Sequence, residues 1–206
     1  MLASKVLRLL HRTLTVLFAG VTLIALLHMI SCGGSDYCHC TPTASAAQDF
    51  RHAEKHIPLP NGTPVETTVA QILTWPLGPN PTTTTPRSGR ELTLYHVATA
   101  YLQNARIVTF DCDFHLEISD IPDKNAPRVI VETPIDAEYC PARTDIAAQL
   151  LLRGFGIRPV EAVQGELPHP QRVSVVGLAF RDFEHNRGSV EVGTPWELHP
   201  AEVTVQ

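Results

Sequence analysis

Thr144-Asp145-Ile146-Ala147-Ala148-Gln149-Leu150-Leu151-Leu152-Arg153-Gly154 is the stretch that decides the fold. Thr144 offers a side-chain oxygen to cap a helix starting at Asp145, Ile146, Leu150 and Leu151 share one face, and Gly154 stops it. Its neighbours carry the other periodicity. Upstream, residues 91–103 open with Leu92 and Leu94 alternating with Glu91 and Thr93, then move the apolar set to Tyr95, Val97 and Tyr101. A register switch inside one long strand predicts a bulge or bend. Phe114, Leu116 and Ile118 alternate with His115 and Glu117 in a second strand, and residues 128–133, with Val129 and Val131, make a third after a turn over 121–127. Downstream, 155–171 reads as a loop, 173–180 as a strand bent at Gly177, and 196–205 as a last strand interrupted by Pro200. Three strands, a helix and two strands, with a long bent first strand, predict a mainly β fold: a five-stranded OB-like Greek-key barrel. A small β-sandwich is the competitor, and the single helix between strands three and four argues against it.

Two regions precede the barrel. Lys5, Arg8 and Arg12 lead into an uncharged apolar run over residues 13–30 that stops at Ser31-Cys32-Gly33-Gly34. A basic start, a long apolar run and a small residue before cysteine resemble a bacterial lipoprotein signal, although Met29 stands where leucine is usual. Cleavage before Cys32 would leave its lipidated thiol as the membrane partner. The alternative is an uncleaved N-terminal anchor helix, since the run approaches the ~20 apolar residues that span a bilayer. His28, Thr13, Thr15 and Thr22 thin it for that purpose. Either way, residues 33–206 are expected outside the cytoplasm, membrane-anchored in a bacterial cell envelope. Residues 32–90 hold Pro42, Pro58, Pro60, Pro64, Pro76, Pro79, Pro81 and Pro86 with a Thr82–Thr85 run, which predicts an extended Pro/Thr-rich spacer. One patch departs from this: over 65–75, Val69, Ile72 and Leu73 fall at helical spacing ahead of Trp75, predicting a short helix docked on the domain. The expected division is therefore 1–31 signal or anchor, 32–90 spacer and 91–206 barrel.

Charge and cysteines narrow the compartment and the partners. Residues 1–31 carry three cations and no acid, so without them the formal charge moves from −5 to −8. Residues 91–206 alone carry nine Lys/Arg against 17 Asp/Glu. An acidic domain repels phosphate backbones, which weighs against nucleic acid as a partner. With Cys32 lipidated, Cys38, Cys40, Cys112 and Cys140 remain, an even set in an oxidising compartment. Cys112 and Cys140 lie inside the predicted domain and are expected to bridge, closing a loop of about 28 residues for on the order of 3–4 kcal/mol. Cys38-His39-Cys40 lacks the second half of a zinc framework and reads as tether chemistry.

Asp111, Asp113, His115 and Glu117 recur every second residue, so one strand face would project all four while Phe114, Leu116 and Ile118 turn to the core. Trp196 and Leu198 likewise turn inward, and Glu197 and His199 outward. An OB barrel orders its strands 1-2-3-5-4 around the wall, so the two rows would flank Glu132 of the third strand. Carboxylates and imidazoles converging this way are ligands for a divalent metal, the one cofactor the residues suggest. His185, in the loop 182–188, is placed to reach the same end. The plainer reading is a solvated strand face, where Asp, Glu and His are ordinary occupants. His96 and His169 read as structural, and Trp196 as a core aromatic whose indole N–H needs one partner. No Gly-x-Ser-x-Gly elbow surrounds Ser174 or Ser189, and Gly154-Phe155-Gly156 reads as a helix stop.

Asp111-Cys112-Asp113-Phe114-His115-Leu116, Val129-Ile130-Val131-Glu132-Thr133-Pro134, Val176-Gly177-Leu178-Ala179-Phe180 with His185 and Gly188, and Trp196-Glu197-Leu198-His199-Pro200 together resemble an uncharacterised family of exported bacterial OB-like barrels. The resemblance covers roughly residues 91–206, brings no established activity, and implies the barrel and Asp113, His115, His185, Glu197 and His199 as positions to test. The expected function is a membrane-tethered, extracytoplasmic OB-like binding module whose ligand the residues do not name. The alternative is a metal-dependent, nuclease-like hydrolase with Asp111, Asp113 and Glu197 on the cation and Arg187 or Arg181 countering phosphate charge. The acidic balance, and the absence of the Asp-Gly-Asp-Thr motif of staphylococcal-type nucleases, argue against that alternative.

Overall fold

The computed structural model describes residues 36–183 and 188–206. The signal or anchor, Cys32 and His185 lie outside the described residues. The elements in chain order are α1 (His52–Lys55), β1 (Val65–Thr67), α2 (Val69–Leu73), β2 (Leu94–Ile107), β3 (Phe114–Ser119), β4 (Arg128–Thr133), α3 (Cys140–Leu152), β5 (Glu166–Arg181) and β6 (Val192–Val205), joined by short 3-10 turns. The sheet order is β1-β2-β3-β4-β6-β5, and β5 returns to pair with β2. Strands β2 to β6 therefore close a five-stranded barrel in the 1-2-3-5-4 order expected. β4 and β6 run parallel and the other barrel pairs antiparallel, while β1 adds a short parallel flap to β2. Among the described residues no helix is long and apolar enough to cross a membrane.

Alternation sets the core. Phe114, Leu116 and Ile118 of β3, Val129 and Val131 of β4, and Trp196 and Leu198 of β6 are buried inside with Val97 and Leu102 of β2 and Val173 and Val175 of β5. At about 1.5–3 kcal/mol for each large apolar side chain removed from water, this interior is the main stabilising term. The predicted bend in the first strand is present as register shifts between Leu102 and Asn104 against β3 and between Val97 and Ala100 against β5. A second shift, between Gly177 and Ala179, bends β5 where it meets β6. There a Cβ on residue 177 would lie 2.6 Å from Ala201 Cβ and 2.9 Å from the Pro200 carbonyl, so only glycine permits the approach.

α3 starts at Cys140, ahead of the expected Asp145, because Pro141 in the first turn has the backbone angle and the missing donor that a helix start accepts. It ends as expected. Gly154 takes φ 82° and donates to the Leu151 carbonyl, and Phe155 N–H donates to that of Leu150, a Schellman closure. β5 and β6 begin earlier than the sequence reading placed them, at Glu166 and Val192.

The expected spacer is corrected over most of its length. The compact unit is Tyr37–Gln206, so residues 37–90 belong to the folded body. α2 docks as predicted: Thr68 and Gln71 form a capping box, the Asp120 carboxylate accepts from Val69 N (3.0 Å) and Ala70 N (2.6 Å), and Val69, Ile72 and Trp75 are buried. Trp75 packs edge-on to Trp196, whose indole N–H finds its partner in the Pro76 carbonyl at 3.2 Å. Residues 44–57 form a strap against the barrel, burying Ala46, Phe50, Arg51 and Lys55. Arg51 holds φ 51°, an uncommon conformation for a residue with a Cβ, and its guanidinium compensates by gripping both Glu91 oxygens (2.7 and 3.1 Å) and the carbonyls of Arg181 and Thr85.

The expected Cys112–Cys140 bridge is also corrected. Cys38 pairs with Cys140 and Cys40 with Cys112. Residues 37–40 lie between the β2–β3 turn, where Cys112 sits at φ 70°, and the start of α3 at Cys140, so each barrel cysteine meets the tether before it meets the other. Arg143, fully buried, consolidates the junction by donating to the carbonyls of Tyr37 (2.8 Å), Thr133 (2.7 Å) and Cys112 (2.8 Å) while stacked on Phe114.

Candidate functional site

Pleating sends the polar partners of the core residues to the outer wall of three adjacent strands. The pairing of His115 with Glu132 across β3 and β4, and of Ile130 and Val131 with Glu197 and Leu198 across β4 and β6, brings the two predicted rows together with Glu132 between them. His115 Nδ1 lies 2.9 Å from Glu132 Oε1, and His199 Nδ1 lies 2.9 Å from Glu132 Oε2. His199 Nε2 is 3.4 Å from Asp113 Oδ2, while Glu197 Oε2 is 3.8 Å from His199 Nδ1. One ligand atom from each of Asp113, Glu132 and His199 falls within 4.8 Å of the others, all three residues buried.

This face is not solvated, contrary to the plainer sequence reading. The strap lies across it, and the side chains of Asp113 and His199 are wholly buried. From the strap, His56 places Nε2 3.8 Å from Asp113 Oδ2 and Nδ1 2.7 Å from Asp136 Oδ2. Lys55 holds Asp49 at 3.2 Å and sits over the Phe180 ring. Arg87 fastens strap to wall, donating to the carbonyls of Glu54 (2.6 Å) and His199 (2.5 Å).

Charge inside this low-dielectric volume is strongly perturbed. Burial would lower the His199 pKa, but Asp113, Glu132 and Glu197 outweigh it and hold the ring well above the ordinary histidine range. Burial would raise Glu132, and His115 and His199 outweigh it and keep it well below the carboxylate range. Burial is likewise outweighed at Lys55, whose pKa is raised by Glu132, Glu197, Asp182 and Asp49. At Asp111 the balance goes the other way: burial, with Asp113 and Glu132 nearby, outweighs the opposing pull of Lys55 and pushes its carboxyl up to about 7. At the other end of the wall, burial alone would raise Glu117, yet hydrogen bonds from His115 and Ser189 hold it down at about 2. Glu117 is further paired with Arg128 at 3.0 Å.

Two hydrogen-bonding positions stand out. Asp113 Oδ1 accepts from Ile135 N at 2.9 Å, whereas its buried Oδ2 makes no hydrogen bond. Both nitrogens of His199 are also buried without an aligned hydrogen bond, despite carboxylate oxygens at 2.9 and 3.4 Å. Buried polar atoms left without an aligned partner are uncommon, and here three of them meet at one point of the wall.

Of the residues singled out from sequence, Asp113 and His199 are in the cluster, His115 and Glu197 adjoin it, and Asp111 stands beside it, its Oδ1 accepting from Asp113 N at 3.1 Å. His185 falls outside the described residues. His96, read as structural, pairs with Glu66 at 2.7 Å away from the site. The sequence reading missed the strap contribution. Its signal was the pair His52 and His56, four residues apart in a short helical turn, whose rings stack at 3.9 Å. No family model, no curated protein and no solved structure matches the chain.

Proposed function

We propose that this chain is an exported, envelope-tethered OB-like binding module that holds a divalent transition cation in the Asp113–Glu132–His199 cluster. The observation that carries the reading is the convergence of those three buried side chains with Asp113 Oδ2 and both His199 nitrogens lacking an aligned hydrogen bond. Mixed imidazole and carboxylate ligands suit zinc, cobalt or manganese better than calcium or magnesium, which take oxygen ligands. The carboxylates of Asp113, Glu132 and Glu197 attract a cation, and binding would exchange it for the proton they otherwise hold on His199. Two disulfides fit an oxidising compartment. A closed site supports the binding reading over the hydrolytic one, because a catalytic metal keeps a coordination position open to substrate.

The test is a calorimetric titration of the full chain in mild detergent, stripped of metal, with zinc and then cobalt. One ion per chain at micromolar or tighter affinity is expected, weakened at least a hundredfold by Asp113→Asn or His199→Ala. No saturable binding below millimolar zinc would refute the proposal.

A further inference from the structure

Within that metal-binding reading, on which this inference rests, we infer that the cation is held between wall and strap, with His56 as a ligand alongside His199 and Asp113. Each imidazole has a carboxylate near Nδ1, hydrogen-bonded at His56 and unaligned at His199. His56 keeps Nδ1 2.7 Å from the Asp136 carboxylate, and His199 keeps Nδ1 2.9 Å from that of Glu132. Their Nε2 atoms, at 3.8 and 3.4 Å, face the same oxygen, Asp113 Oδ2. At His56 the Asp136 carboxylate fixes the tautomer that leaves Nε2 a free lone pair, which is how metal-bound histidines are held, while Nε2 of His199 is buried without a hydrogen bond. Two such nitrogens converging on one buried carboxylate oxygen form a two-histidine, one-carboxylate donor set for a transition ion.

The alternative use of these groups is a plain hydrogen bond. It fails on geometry, because Asp113 Oδ2 is fully buried and accepts no hydrogen bond although two ring nitrogens surround it. Glu132, beside the His199 ring with His115 behind it at 2.9 Å, adds negative charge next to the ion. The chemistry has a consequence for the fold. His56 belongs to the strap and Asp113 and His199 to the barrel, so an ion bound by all three clamps one onto the other, and ion affinity and strap docking are thermodynamically linked.

The experiment compares the full chain, His56→Ala and Asp136→Asn, each in detergent, by cobalt(II) absorption, zinc affinity and amide hydrogen exchange over residues 44–57. The wild type is expected to show the visible bands of a low-coordinate cobalt site and at least tenfold slower exchange in the strap when zinc is added. His56→Ala should bind zinc 30-fold or more weakly, with altered cobalt bands and no zinc-dependent protection of the strap. Asp136→Asn, which leaves the ligand in place, should weaken zinc about tenfold and keep the band positions. Saturable binding by the wild type with His56→Ala unchanged in affinity, spectrum and strap exchange would overturn the inference and leave the proposed function standing. No binding by the wild type would remove both. Should His56→Ala fail to fold, Asp136→Asn decides: zinc affinity equal to that of the wild type overturns the inference.

Discussion

Removing the Cys40–Cys112 bridge by the paired change Cys40→Ser/Cys112→Ser has a cost that the topology sets. Taken alone, the bridge spans a sequence separation of 72, for which the chain-entropy relation gives about 4.4 kcal/mol. With Cys38–Cys140 intact, however, the shorter route between its ends passes from residue 40 to 38, across that bond, and from 140 to 112. This closes an effective loop of about 30 residues, worth about 3.6 kcal/mol. The two bridges are therefore less than additive when each is removed singly, and removing both costs about 8 kcal/mol. That is comparable to the whole stability of an ordinary domain, about 5–15 kcal/mol. Urea unfolding of the four proteins, wild type, each paired serine variant and the variant lacking both bridges, measures the cycle. A loss under about 1.5 kcal/mol for Cys40→Ser/Cys112→Ser would refute the reasoning, as would tryptic peptides joining Cys112 to Cys140. In that other pairing Cys38 and Cys40 would close almost nothing, and Cys40→Ser alone would be nearly silent.

Two further outcomes follow from other buried charges. Arg143→Met leaves the carbonyls of Tyr37, Thr133 and Cys112 without their donor, at roughly 1–3 kcal/mol for each group left unsatisfied and partly offset by no longer burying a cation, so a net loss of about 3–5 kcal/mol in urea unfolding is expected. A loss under 1.5 kcal/mol would mean that Arg143 merely fills space. Glu117 has its carboxyl lowered from 4.5 to about 2, so its contribution is present above pH 4.5 and lost as pH falls through 2; the drop is about 3 kcal/mol at most. Unfolding of metal-free wild type and Glu117→Gln at pH 7 and pH 3 checks this: the variant should be less stable at pH 7 but lose less on acidification, and an equal loss would count against the assignment.

The barrel was legible because two periodicities carried it. Alternation in 114–118 and 128–133 located β3 and β4 almost to the residue, and the single helix ending at Gly154 selected the strand order, which in turn put Glu132 between the two polar rows. What escaped depends on contacts between distant segments. Prolines between 42 and 86 do break regular structure, but a chain without long helices or strands can still pack, and Phe50, Arg51 and Lys55 give no periodic sign of it. Disulfide pairing among four cysteines has three solutions, and only the path of residues 37–40 chooses between them. The outward row was read as solvated because alternation reports which face meets the core, not what covers the other.

That cover and the wall beneath it are electrostatically one structure. Asp113, Glu132 and Glu197 on neighbouring strands would repel if exposed together, and burying them unpaired would cost several kcal/mol each. The strap brings Arg51, Lys55 and His56 within two turns of chain, and the segment after it brings Arg87; each makes a contact in or next to the acidic wall. A free tether would leave Arg51, Lys55 and Arg87 in water and the carboxylates opposed. Arg51 anchors the strap to Glu91 and β5, and Lys55 and His56 then fall over the acidic groups of the wall that OB barrels commonly leave open to ligands. Here that wall is covered by the chain itself, so under the proposed binding reading the occupant has to fit beneath the strap, which a single ion does and an oligomer does not.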